Sequence, residues 1–237
     1  MNFKQAHSSN FKAGRTKGIK YIVIHYTSND GDTAKNNVDY YARTKDLQAS
    51  AHYYVDECEI WQSVKEGDTA WHCGATSYKH PYCRNSNSIG IELCSRYNGN
   101  LKADKNANKV DFKKYYFEAA MLERAAELTK ELMSKYNIPV ENVIRHYDVT
   151  GKTCPAPMVV NSALWNKFKA MLTTSVSTKE TVSQVKLESG NDIDYALKWK
   201  YGITFDSVEN EKEFIKELDE LRSKGSKAYH VFYKLVN

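Results

Sequence analysis

Residues 18–27 read GIKYIVIHYT, and how they are interpreted decides the fold. Apart from Lys20 the run stays apolar or aromatic up to a histidine, and then Thr27-Ser28-Asn29-Asp30 turns polar. A strand with one wet face alternates, so a run this continuous suits a strand buried on both faces of a sheet. His25 closes the run where the chain turns polar. An imidazole there is placed to line a pocket, although a hydrogen-bonded core histidine would leave the same trace.

Working outward, Asp32-Thr33 caps a predicted helix that runs to about Asp46, with Val38, Tyr41 and Ala42 along one face. Residues 50–56 and 59–64 read as a hairpin. Thr69-Ala-Trp-His-Cys-Gly74 forms a loop with an aromatic, an imidazole and a glycine side by side. Ser88-Ile-Gly-Ile-Glu-Leu-Cys94 is a further strand, and Glu92 inside it is costly unless something pairs with it. A long helix is predicted over Phe112–Tyr136, with Tyr116, Ala119, Leu122, Ala126, Leu128 and Leu132 on its core-facing stripe, and Pro139 ends it. A last helix, Ser162 to about Leu172, carries Leu164, Trp165 and Phe168. Strands interleaved with helices give an α/β domain with a mixed central β-sheet flanked by helices.

The second decisive stretch is VIRHYDVTGKTCPAP, residues 143–157. A short apolar strand ends at His146, and Gly151 and Pro155 bend the segment that leads to Cys154. A borderline-soft cation such as zinc takes imidazole nitrogen and thiolate sulfur together, so a strand-end His and a loop Cys can share one ion. Lys152 would lie beside it. One His and one Cys eight apart also occur by chance in many chains, and His25 is what raises the odds.

Composition sets bounds. With 237 residues, 41% hydrophobic and 27% charged, the chain is of the globular class and can bury a sizeable core. No run of about 18 apolar residues exists to span a membrane. The first residues lack the apolar centre of a secretory signal. Residues 1–172 hold 24 Lys and Arg against 18 Asp and Glu, and the remainder 10 against 11. That bias is too mild to argue for nucleic acid. Five cysteines, an odd number without even spacing, speak against a disulfide framework and leave a thiol free for metal.

With these residues in hand, the chain resembles the zinc-dependent N-acetylmuramoyl-L-alanine amidases, the group holding phage lysozyme-amidases, peptidoglycan recognition proteins and the muropeptide-recycling amidase. The resemblance covers roughly residues 15–172. It rests on five motifs in order: YIVIHYT, SAHYYVD, AWHCG, NSIGIELC and RHYDVTGKTCPAP. It implies one zinc ion held by His25, His146 and Cys154 with a fourth position open, as a catalytic zinc needs. It further implies Glu92 as general base and Lys152 as the cation facing the tetrahedral intermediate. Tyr26 and Trp71 are expected to wall the substrate groove, His72 to hydrogen-bond either the substrate or the groups that support the ligands, and His52 to pack in the sheet. Phage lysozyme-type members place a catalytic tyrosine where this chain has Ala51, so the Glu-based mechanism is expected here. The recycling branch carries an aspartate where this chain has Cys154.

Residues 173–186, TTSVSTKETVSQVK, read as a Ser/Thr-rich linker. Residues 187–237 form a small α+β module, with helices expected over 192–201 and 209–224 and a strand over 228–236. Attached to a peptidoglycan amidase, it suggests a wall-binding module, and its aromatic residues equally suit the core of so small a domain. The expected partner is peptidoglycan. The expected setting is a phage or prophage endolysin, made in the cytoplasm and released to the wall through a holin lesion. The alternatives are a binding-only recognition protein, a cytosolic recycling amidase, and a thiol hydrolase built on Cys154 and His146. In the last, Cys154 precedes a proline rather than opening a capped helix, and so is poorly activated.

Overall fold

Alternation within three apolar strands organises the molecule. The computed structural model describes residues 1–173. Its strands are Asn2–Phe3 (β1), Phe11–Lys12 (β2), Tyr21–Tyr26 (β3), Tyr53–Val55 (β4), Ile60–Gln62 (β5), Thr69–Ala70 (β6), Ser88–Leu93 (β7), Arg96–Tyr97 (β8), Tyr115–Tyr116 (β9) and Val143–Arg145 (β10). The helices are Ala34–Arg43 (α1), Leu101–Asn106 (α2), Ala119–Tyr136 (α3), His146–Thr150 (α4), Ala156–Val160 (α5) and Ser162–Thr173 (α6). Six strands form one sheet in the order β1-β5-β4-β7-β3-β10. β3 lies between β7 and β10 and is parallel to both, while β4 and β5 make the expected antiparallel hairpin. The sheet is therefore mixed, as the sequence predicts.

Because side chains alternate across a strand, β3 and β7 each serve two faces. Ile22, Ile24 and Tyr26 join Ile89, Ile91 and Leu93 in the main core, packed with Met121, Leu122, Ala125 and Leu128 of α3 and with Phe168 of α6. Tyr21 and Val23 point the other way, into a smaller cluster with Cys73, Cys83, Ile144 and Val149. On that second face the next positions along the strands are His25, Ser88, Gly90 and Glu92.

α1 starts where Thr33 accepts a hydrogen bond from the Asn36 N–H at 3.0 Å, and the Asp56 carboxylate accepts from the Ala34 N–H at 2.8 Å. Both satisfy donors that the first helical turn leaves without partners. α1 ends at Arg43, three residues before the predicted end.

The long helix differs more. It begins only at Ala119, after a 3₁₀ turn over Phe112–Lys114 and the short strand β9. Asp111 closes that turn by accepting from the Lys113 N–H, and Tyr115 and Tyr116 pair with Tyr97 and Arg96. The Tyr115 ring meets those of Tyr26 and Tyr97 at 5.1 and 4.8 Å. Tyrosine packing thus overrides helix propensity, and Tyr116 leaves the predicted core stripe to stand exposed. Asn137, in the left-handed conformation, ends α3 ahead of Pro139.

The last described helix, α6, runs from Ser162 to Thr173. The linker over 173–186 and the module over 187–237 lie, apart from Thr173, outside the described residues.

Candidate active site

The register of the parallel strands builds the site. His25 pairs with Glu92 across β3 and β7, and Glu92 pairs with Tyr54 across β7 and β4. On the other flank Arg145 pairs with Ile24, so the next residue, His146, arrives beside His25. The imidazole rings of His25 and His146 have centroids 4.7 Å apart. His146, just past the end of β10, thus stands in a row with His25 and Glu92 at the C-terminal ends of three neighbouring strands, where open parallel sheets place their ligands.

The chain then has to return Cys154 to the row. Arg145 and Asp148 lock the turn after β10. The Asp148 carboxylate accepts from the Arg145 backbone N–H at 2.9 Å and from its guanidinium at 2.8 Å. α4 ends at Gly151 with φ +86°, a left-handed conformation that a side chain adopts only under strain. The Tyr147 N–H donates to the Cys154 carbonyl at 2.8 Å, folding the loop back on the helix. His146 opens α4 instead of closing the strand, one residue from the predicted boundary.

His25, His146 and Cys154 are buried, and their ligand atoms lie within 4.8 Å of one another. Cys154 Sγ is 3.7 Å from His25 Nδ1. Ligand bonds of about 2.0 Å to nitrogen and 2.3 Å to sulfur, set tetrahedrally, put ligand atoms about 3.3–3.8 Å apart. His146 Nδ1 is buried with no hydrogen-bond partner among the described residues. Burial, aided by Lys152, holds the His146 imidazole down to about 4, and burial holds His25 well below its usual range. Both stay neutral at pH 7 with a lone pair to give. The donor set fits a zinc ion.

Glu92 Oε1 is 4.0 Å from His25 Nδ1, and its Oε2 is buried without a hydrogen-bond partner among the described residues. Burial raises the Glu92 carboxyl to about 8, and the nearby Lys152 ammonium pulls the other way. Only 20% of the side chain is open to the cleft. A carboxyl poised this close to neutrality is what proton transfer needs. Burial pushes the Cys154 thiol up, so without a cation beside it Cys154 is a poor nucleophile.

These groups share a cleft of about 830 Å³. Every residue singled out in the sequence lines it: His25, Tyr26, Trp71, His72, Glu92, His146, Lys152 and Cys154. Two of them are also engaged by the protein behind the cleft surface. Tyr26 lines the cleft with its ring largely buried against Tyr115. His72 has both ring nitrogens engaged by protein, at 3.0 Å from His25 Nε2 and 3.0 Å from Ser88 Oγ. His52 packs in the sheet, where its Nδ1 accepts from the Gly90 N–H at 3.0 Å.

Sequence reasoning missed Tyr54, Ser88 and Gly90. The last two had a readable signal. Ser88-Ile-Gly-Ile-Glu-Leu93 alternates small or polar residues with Ile, Ile and Leu, which marks Ser88 and Gly90 as sharing a face with Glu92.

Comparison with known proteins points to one family. A family model described as N-acetylmuramoyl-L-alanine amidase matches residues 15–157. N-acetylmuramoyl-L-alanine amidase CwlL of Bacillus licheniformis is 31% identical over 192 residues, 77% of this chain and 48% of that protein. The structure of PlyL is 30% identical and covers 73% of this chain and 96% of its own, at a TM-score of 0.55. A mutant endolysin from Bacillus subtilis is 29% identical and covers 72% and 97%, also at 0.55. The chain spans about half the length of the curated relatives it matches.

Proposed function

The chain belongs to the N-acetylmuramoyl-L-alanine amidase family, and from that premise we propose that it hydrolyses the amide between N-acetylmuramic acid and L-alanine in peptidoglycan. The observation that carries the reading is the row of His25 and Glu92 on adjacent strands and His146 just past the end of β10, with Cys154 closing in from the loop beside it. His25, His146 and Cys154 would hold one zinc ion. Zinc bound there supplies a lowered pKa for water and polarisation of the amide carbonyl.

Glu92 takes the proton of the attacking water and delivers it to the alanine nitrogen as the C–N bond breaks. A carboxyl that ionises near neutrality can do both in one cycle. Lys152, exposed at the rim of the cleft, faces the negative charge that develops on the carbonyl oxygen. Trp71, Tyr26 and Tyr54 line the cleft.

The test is digestion of purified peptidoglycan. It should release stem peptides with a free L-alanine amino group, stop with a strong zinc chelator, and resume when zinc is restored. New reducing sugar ends without free alanine, or cleavage indifferent to chelation, would overturn the proposal.

Residues 187–237 we assign to wall attachment, which raises the local concentration of substrate around the catalytic domain. Removing residues 178–237 should spare cleavage of soluble muropeptides and weaken co-sedimentation with intact walls. Unchanged co-sedimentation would refute the assignment. Likeness to an endolysin favours a lytic role on the cell wall, reached through a holin-type lesion. No helix among the described residues is long and apolar enough to cross a membrane.

A further inference from the structure

His72 neither reaches the centre of the ligand cluster nor offers a free nitrogen to the cleft. Its place is nevertheless tightly enforced. A Cβ on Gly90 would stand 2.5 Å from His72 Cγ and 2.8 Å from His72 Nδ1, so the ring lies on β7 in space that only glycine leaves. The Asn85 side-chain oxygen accepts from the backbone N–H groups of His72 and Cys73, at 3.2 and 2.8 Å, and pins the loop that delivers the ring. The edges of His25 and His52 meet it at centroid distances of 5.1 and 5.7 Å.

The hydrogen bonds around the ring have one direction. Ser88 Oγ is 2.7 Å from the Arg84 carbonyl oxygen, which can only accept, so the hydroxyl proton points there. Ser88 Oγ must then accept from His72 Nε2 at 3.0 Å, which places the His72 proton on Nε2. Neutral His72 is left with a lone pair on Nδ1, and His25 Nε2 donates to it at 3.0 Å. The proton of His25 therefore sits on Nε2, and its Nδ1 is bare. That nitrogen is the one 3.7 Å from Cys154 Sγ and 4.0 Å from Glu92 Oε1.

We propose that His72 is a positioning residue: through a relay from the Arg84 carbonyl by way of Ser88, it fixes the tautomer of His25 that turns Nδ1 toward His146 and Cys154 as a metal ligand. This rests on the zinc reading above and adds to it a dedicated support for one ligand. Groups that orient a metal-binding histidine in this way shift metal affinity by about 10–100-fold when removed.

Two measurements test it. Long-range proton–nitrogen spectra of the metal-free wild-type protein should show His25 and His72 both protonated at Nε2, and His25 protonated at Nδ1 would overturn the proposal. Competition for zinc against a chromophoric chelator should then rank variants that keep their fold by circular dichroism. His72→Phe, which preserves the ring on Gly90 and removes the acceptor, should bind zinc about 10–100-fold more weakly. His72→Asn, whose amide oxygen can stand in for Nδ1, should recover most of that loss, and Ser88→Ala should fall between. A folded His72→Phe protein that binds zinc within about twofold of wild type would refute the relay, being far below the effect such supports carry. Should His72→Phe fail to fold, the wild-type spectrum and Ser88→Ala decide the matter. A wild-type chain that binds no zinc would sink the metal reading, while the metal-free spectrum would still decide the tautomer.

Discussion

β3 and β7 present two faces made from alternate residues of the same strands, and the two obey different rules. On one face Ile22, Ile24, Ile89, Ile91 and Leu93 pack against α3 and α6, and every one of them is fully buried. On the other, His25, Ser88, Gly90 and Glu92 stand at the same depth of sheet with imidazoles and an unpartnered carboxyl oxygen among them. The first face gains free energy from burial. The second gives it up, because polar groups held away from water without full hydrogen bonding are costly. Such a face persists because the first over-stabilises the strands that carry it. Truncating an apolar side chain on the first face should therefore damage stability and leave chemistry, and neutralising a polar group on the second should do the reverse.

The largest effect expected of that contrast is at Glu92. Glu92→Gln should lower turnover by about 10²–10⁴-fold, the range for loss of a general acid–base group. Zinc content should be unchanged, and stability at pH 7 equal or greater, since the amide replaces a carboxyl that burial already keeps partly protonated. Turnover close to wild type would remove Glu92 from the mechanism. Ile89→Ala, three residues earlier on the opposite face, is the reciprocal case. It should cost about 2–5 kcal/mol in urea denaturation, with kcat/KM of the folded protein intact. Lost activity without lost stability would show that the faces are not separable.

Gly90→Ala tests the boundary between them. The added methyl meets the His72 ring at 2.5 Å, on a strand fixed from both sides. Overpacking of this kind costs about 1–3 kcal/mol. Chemical denaturation together with zinc titration measures it, and both should worsen, because the ring that must move is the one bonded to His25.

The sequence revealed the two faces unequally. Strand β3 and the hairpin were legible because apolar runs and alternation are local properties of Tyr21–Tyr26 and Tyr53–Gln62. The ligand set was legible in composition, as two histidines and a cysteine at polar transitions, while their convergence was implied by family resemblance. Spacing could not supply it, because His25 and His146 meet through strand register across 121 residues of chain. The start of α3 was not legible. The residues from Phe112 to Glu118 carry helix-compatible chemistry, and only the partner strand Arg96–Tyr97, far off in sequence, pulls Tyr115 and Tyr116 out of a helix. For a related reason the sequence left open whether His72 meets the substrate or the groups that support the ligands. AWHCG gives no hint that Ser88 and His25 will take both ring nitrogens.

The finest distinction between the faces is their response to pH, and it needs no substrate. With a chelator present, His25 and His52 are held by burial well below their ordinary 6.5, and His146 down to about 4. In the unfolded chain these rings take up protons near 6.5, so as pH falls below that value the unfolded state binds more protons and stability drops. Glu92 has the opposite sign. Its carboxyl stays protonated in the folded chain up to about 8 but ionises near 4.5 when unfolded, so its share of stability is lost as pH rises between those values. Each group contributes at most about 1.4 kcal/mol per pH unit. Urea denaturation of metal-free protein should therefore show stability rising from pH 4.5 to about 6.5, where these histidines, together with His80, which burial also lowers, outweigh one carboxyl, and declining from there to pH 8. Glu92→Gln should abolish the decline and keep the rise. The same profile with and without Glu92 would mean that the carboxyl is better solvated than its buried Oε2 indicates, and the chemical face would then be less costly than its geometry implies.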